Sequence, residues 1–125
     1  MAVELIYCAT PSRFKERQEE IINFVNNQTP YAPFHPFKAF PWELFEGNPK
    51  VGRENAMDYC IRSVKLCDRF GLFGISEGTV TKELPIALGE NKPIDLFLEF
   101  DPDWKIYYAK LLPQAPYLKE IIPYD

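Results

Sequence analysis

Arg69-Phe70-Gly71-Leu72-Phe73-Gly74-Ile75-Ser76-Glu77-Gly78-Thr79 is the stretch that decides the fold. Its first seven residues form a short apolar run, which reads as a strand buried on both faces, with glycines that admit close approach of neighbouring backbone. Ser76 to Thr79 then turns the chain into a helix expected over about Val80 to Leu88, with Gly89 as its C-cap. Pro85 removes one backbone hydrogen bond from that helix, so the helix starts late or bends there.

The same alternation continues outward in both directions. Downstream, Pro93-Ile94-Asp95-Leu96-Phe97-Leu98-Glu99-Phe100 reads as a strand, and Asp101-Pro102-Asp103 supplies cap, proline and dipole-favoured carboxylate for a last helix ending by Pro113. The tail through Tyr117 and Ile121 is expected to carry a final short strand. Upstream, Met57, Cys60, Ile61, Val64 and Cys67 recur at helical spacing in a segment that begins near Arg53. Before it, residues 28–50 interleave five prolines with six aromatics without helical period, leaving room for a short edge strand between Tyr31 and Phe37. The chain opens with the β-prone run Val3 to Cys8, then Thr10-Pro11-Ser12 as two candidate caps around a proline, then a helix to about Asn27 with one apolar stripe. Strands alternating with helices at these spacings mean right-handed βαβ crossovers: an α/β fold with an open parallel sheet of about five strands, flavodoxin or Rossmann-like, helices on both faces.

A length of 125 residues fits one domain spanning 1–125. Its 14 basic and 18 acidic residues give a net charge of −4, all of it arising after Ile75, where 9 acidic face 5 basic residues. That balance argues against a nucleic-acid partner, which calls for a basic stripe, and favours a small solute. The three cysteines form no C-x-x-C pair and the N-terminus lacks a signal-peptide pattern, so reduced thiols and a cytoplasmic location are expected. No apolar run reaches the roughly 18–20 residues that cross a bilayer, so no membrane partner is expected. The aromatic segment 28–50 either covers one end of the core or supplies the contact of a homodimer or larger homo-oligomer, or acts as a lid.

In such sheets ligands bind beyond the carboxyl ends of the strands. Two loops lie there. Tyr7 to Arg13 offers hydroxyls and a guanidinium, though Thr10 and Ser12 also serve simply as caps, and no G-x-G-x-x-G or P-loop lysine is present. Ser76 to Thr79 leads to Glu83, a carboxylate in the first turns of a helix, where the dipole favours the anion. Glu77 lies six residues before it, and a turn that folds back brings both carboxylates to one pocket, as glycosidic chemistry requires. A glutamate at a helix start is also an ordinary dipole partner. The single histidine, His35, excludes a multi-histidine metal site and reads as an exposed loop residue, and the cysteines lie in contexts too different for zinc. Cys8 reads as a buried strand cysteine rather than a nucleophile.

The run Cys67 to Thr79 with Glu83, Ala87 and Gly89-Glu90-Asn91-Lys92-Pro93-Ile94, together with Ile6-Tyr7-Cys8-Ala9, resembles the nucleoside 2-deoxyribosyltransferase-like superfamily, including its uncharacterised small-domain branch. The likeness covers most of residues 4–98. It implies a nucleoside deoxyribosyltransferase or nucleotide N-glycosidase, working on a nucleoside or nucleoside 5′-monophosphate without metal or organic cofactor. It implies Glu83 as the nucleophile on the anomeric carbon and Asp58 as the group assisting the leaving base. Ser76 or Glu77, with Gly78 and Thr79, falls where members recognise the sugar hydroxyl or 5′-phosphate, and Tyr7, Cys8, Ala9, Ser12 and Arg13 fall on the sugar and phosphate side. The first loop carries no G-S or G-P pair, and Pro85 stands where glycine is common. A non-catalytic nucleotide-binding or sensing module on the same scaffold is the alternative.

Overall fold

The computed structural model describes residues 3–39 and 49–124. Its four strands are β1 (Leu5–Ala9), β2 (Ala32–Phe34), β3 (Arg69–Leu72) and β4 (Ile94–Leu96). They form one all-parallel sheet in the order β2-β1-β3-β4, so the described residues hold four strands where about five were expected. Between and after them lie α1 (Gln18–Gln28), α2 (Pro36–Ala39), α3 (Pro49–Leu66), α4 (Leu84–Gly89), α5 (Trp104–Leu111) and α6 (Leu118–Ile121).

Alternation along β1 builds both layers of the core. Ile6 and Cys8 point to one face, where Ile21 and Val25 of α1 meet them. Tyr7 and Ala9 point to the other, against Cys60 and Val64 of α3, Leu84 and Ala87 of α4, and Tyr108, Leu111 and Leu118 from α5 and α6. Helices therefore cover both faces, as a sheet of continuous apolar strands demands. The register places Phe34, Tyr7 and Phe70 side by side on three adjacent strands, and their rings stack at 6.1 and 5.8 Å.

Several expectations change in the structure. The run Pro93 to Phe100 is a strand only to Leu96, and Leu98–Phe100 is a 3-10 turn. Phe97 and Phe100 instead pack with Phe24 and Phe73, with Phe73 and Phe97 stacked at 4.7 Å, and this aromatic packing overrides strand propensity. The tail carries no strand among the described residues: it forms the short α6, which buries Leu118, and Ile122 is buried just past the end of that helix. Thr10 and Ser12 do not cap the first helical segment; Ser12–Arg17 is a 3-10 turn, kinked at Phe14, with Pro11 at its start and no side-chain cap. The edge strand expected between Tyr31 and Phe37 is present as β2. The aromatic segment 28–50, with its expected lid or subunit contact, falls for residues 40–48 outside the described residues.

One close approach fixes the two loops relative to each other. A Cβ on Gly74 would stand 2.7 Å from Pro11 Cγ, so only glycine lets the loop after β3 lie against the loop after β1.

Candidate active site

Connections leave β1 toward β2 on one side and β3 toward β4 on the other, so the strand order reverses between β1 and β3. A crevice at that switch point is what open α/β sheets offer to ligands. A cavity of about 400 Å³ opens there, lined by Thr10 and Ser12 after β1, Pro36 and Phe37 after β2, Met57 and Cys60 of α3, and Ser76 to Thr79, Lys82 and Glu83 after β3.

The turn after β3 builds the wall that carries both carboxylates. Thr79 N–H donates to Ser76 Oγ at 3.1 Å and Ser76 N–H donates to Thr79 Oγ1 at 2.9 Å, a reciprocal pair that starts the helix. Thr79 Oγ1 also donates to the Gly74 carbonyl at 2.9 Å. The helix then runs as a π-helix over Gly78–Glu83 before α4 begins. Pro85 ends the wide turn: Leu84 N–H bonds the carbonyl of Thr79, five residues back, and the next bond in that pattern would need the N–H that Pro85 lacks. The stranded Val80 carbonyl is taken by the hydroxyl of Tyr117. Of the two outcomes expected at Pro85, the late start is present: α4 begins at Leu84 with Pro85 in its first turn, and Glu83, at the end of the π-helix, lines the cavity.

Glu83 is 5% exposed, and Tyr7 donates its phenolic hydrogen to Oε2. Burial pushes the Glu83 carboxyl up to about 7, against which hydrogen bonds from Tyr7 and Cys60 work in the opposite direction. The helix dipole was expected to hold this group as an anion. It sits at the far end of the π-helix, beyond the first turn where the dipole acts, and desolvation wins. Burial likewise raises Tyr7 well above its ordinary range and Cys60 to about 12, so Glu83 is the member of the cluster that titrates near neutrality.

Tyr7, Ser12, Ser76, Glu77, Gly78, Thr79 and Glu83 are thus brought together, Tyr7 standing behind Glu83. The remaining expected residues lie elsewhere. Asp58 is on an exposed face of α3, paired with Arg62 one turn on at 3.0 Å, because its helical phase differs from that of Met57 and Cys60. Cys8 points to the opposite side of the sheet into the α1 layer, its thiol pushed to about 12 by burial, and Ala9 is core. Arg13 is held away by Asp101 at 2.6 Å, by the Ile75 carbonyl at 3.0 Å and by the Tyr107 ring at 3.8 Å. Asp101, expected as a helix cap, is fully buried in that clamp.

His35 corrects the expectation of an exposed loop residue. It is 3% exposed, its pKa is drawn down to about 4 by burial, and its ring bonds Thr10 Oγ1 at 3.2 Å. Cys60 and Lys82 are lining residues that sequence reading left out, and Thr10, one of the first loop's hydroxyls, lines the cavity beside them. Cys60 carried a signal, lying on the apolar stripe three residues from Met57, but nothing local told the stripe's cavity end from its core end. Among the described residues no group of three or more metal-ligating side chains is present, and no helix is long and apolar enough to cross a membrane. Comparison with models of protein families, with curated proteins and with solved structures gives no match for the chain.

Proposed function

We propose that this chain cleaves or transfers at the N-glycosidic bond of a nucleoside or nucleoside 5′-monophosphate, through a glycosyl ester of Glu83. The observation that carries the reading is a buried carboxyl, oriented by Tyr7, in a cavity at the strand switch point. The cavity's size suits a ligand of nucleoside dimensions.

In the first step a Glu83 oxygen bonds to the anomeric carbon as the carbon–nitrogen bond breaks, and the electron pair leaves with the base nitrogen, which takes a proton. Water, or the nitrogen of a second base, then attacks the same carbon and releases the carboxylate. Tyr7 holds the carboxylate in place throughout. The acceptor decides between hydrolysis and transfer.

Glu83→Gln tests this. It keeps the shape but removes the anion, so base release should fall by roughly three or more orders of magnitude while ligand binding largely survives. Wild-type protein with a slow substrate should show a sugar ester on Glu83 by mass spectrometry. Unchanged base release by the variant would overturn the mechanism. The second reading, a nucleotide-binding or sensing module, draws support from Asp58, which lies on an exposed helix face away from the cavity. Binding of nucleosides by the wild type without any base release selects that reading.

A further inference from the structure

Helix α5 is apolar on both faces. Trp104, Tyr108 and Leu111 turn inward onto the core, as a helix laid against a sheet requires. The face turned away from them is the one expected to be polar. At its centre stand instead Ile106, which is 66% exposed, and Ala109, also exposed. Pro102 and Pro113, both exposed, continue the row past the two ends of the helix, at spacings of four, three and four residues along one side.

Two charges border this row. Asp103 is the N-cap residue of α5, yet its side chain makes no cap bond, and Lys110 lies in the last turn. Both are exposed, and among the described residues neither has an ion-pair partner. Two helical turns separate them, which sets both on the same edge of the row but about 10 Å apart along it, too far to pair with each other. Lys105, on the opposite edge, is drawn over the rings of Tyr124 at 5.2 Å and Trp104 at 5.8 Å. One edge of an apolar face thus carries a free anion at one end and a free cation at the other.

Such a face is complementary to itself when a second helix lies antiparallel on it. About a two-fold axis passing between Ile106 and Tyr107, Asp103 comes level with the partner's Lys110, and by symmetry Lys110 comes level with the partner's Asp103. The same register interleaves the two apolar rows, with Ile106 beside the axis. We propose that α5 docks antiparallel on α5 of a second copy of this chain, with Ile106 at the centre of the contact and Asp103 and Lys110 paired across it. Two helices of this length bury less than the roughly 1,200–2,000 Å² of a stable interface, so the dimer is reversible and depends on concentration. None of the described cavity lining comes from α5, and the inference therefore stands apart from the proposed chemistry.

Sedimentation velocity over a range of chain concentrations, with thermal unfolding as the check that each variant folds, tests it. The wild type should show a dimer that grows with concentration. Ile106→Lys should weaken association by roughly tenfold or more. Asp103→Lys and Lys110→Asp each turn both attractive pairs into repulsive ones, and each alone should weaken association by about tenfold. Mixed in equal amounts, these two single variants should associate with each other about as well as the wild type does with itself, because each offers the charges that the other lacks. If either of them does not fold, Ile106→Cys reads the contact instead. The native cysteines are buried, so mild oxidation should join two copies through the introduced thiol several-fold faster than through Lys119→Cys on the exposed side of α6. A monomer at every concentration overturns the second copy as occupant of this face. A dimer indifferent to Ile106→Lys, folded single variants that fail to associate on mixing, or equal rates of cross-linking at the two introduced cysteines would each overturn the inference as well.

Discussion

Glu83 carries a measurable signature of its burial. Its pKa of about 7 in the folded chain lies above its ordinary value of 4.5, so between those two pH values the folded state holds a proton that the unfolded state has lost. Stability is then greatest below pH 4.5 as far as this group is concerned, falls as pH rises toward 7, and is level above, a total of about 3 kcal/mol by linkage. Glutamine at this position resembles the protonated acid and cannot titrate. Denaturant unfolding at pH 5 and pH 8 should show Glu83→Gln losing less stability across the interval than the wild type does, and an identical slope in the two proteins would exclude Glu83 as the titrating group. Under the proposed chemistry, in which the anion is the nucleophile, kcat/KM should rise with pH and level off above about 7, opposite in sense to the stability profile.

At the scale of elements, the π-helix and the short α4 behave as one unit braced from outside. Val80 offers a carbonyl whose backbone partner Pro85 has removed, and Tyr117, from the segment before α6, supplies the missing donor. Removing that hydroxyl with Tyr117→Phe leaves a partly buried acceptor without its bond and should cost about 1 kcal/mol in thermal or denaturant unfolding. Pro85→Ala restores an N–H at the position the π pattern asks for. In that background Tyr117→Phe should cost distinctly less, so a double-mutant cycle should give a positive coupling between the two positions. Strict additivity would show that Tyr117 and Pro85 do not serve the same carbonyl. The brace also ties the C-terminal helices to the cavity wall, since Thr79, Lys82 and Glu83, in the segment it steadies, line the cavity.

Across the whole molecule, what was legible in the sequence was periodicity, and what was not was partnership over long separations. The buried runs at Leu5 and Arg69, the apolar stripe through Met57, Cys60 and Val64, and the polar turn at Ser76 announced the sheet, its helices and the place of the site, because those signals are local. Tyr7 and Glu83 are 76 residues apart, His35 and Thr10 are 25 apart, and no local pattern says that these side chains meet. Asp101 is the sharpest instance. In sequence it opens a helix, and in the fold it is fully buried, accepting from Arg13 at 2.6 Å, from Ile75 N–H at 3.0 Å and from Asp103 N–H at 3.1 Å. Those three donors come from the loop after β1, the loop after β3 and the entrance to α5, so one carboxylate joins the two loops of the cavity to the far end of the chain. Asp101→Ala removes the acceptor while leaving the Arg13 guanidinium partly buried and Ile75 N–H without its partner, a loss expected to cost about 3–5 kcal/mol. Thermal unfolding should show a fall large enough to threaten folding at 37 °C, and Asp101→Asn, which keeps one oxygen for Ile75 N–H but loses the ion pair, should fall between the two. A variant as stable as the wild type would show that the loops are held by the Gly74–Pro11 contact alone, and that Arg13 is free to serve a ligand.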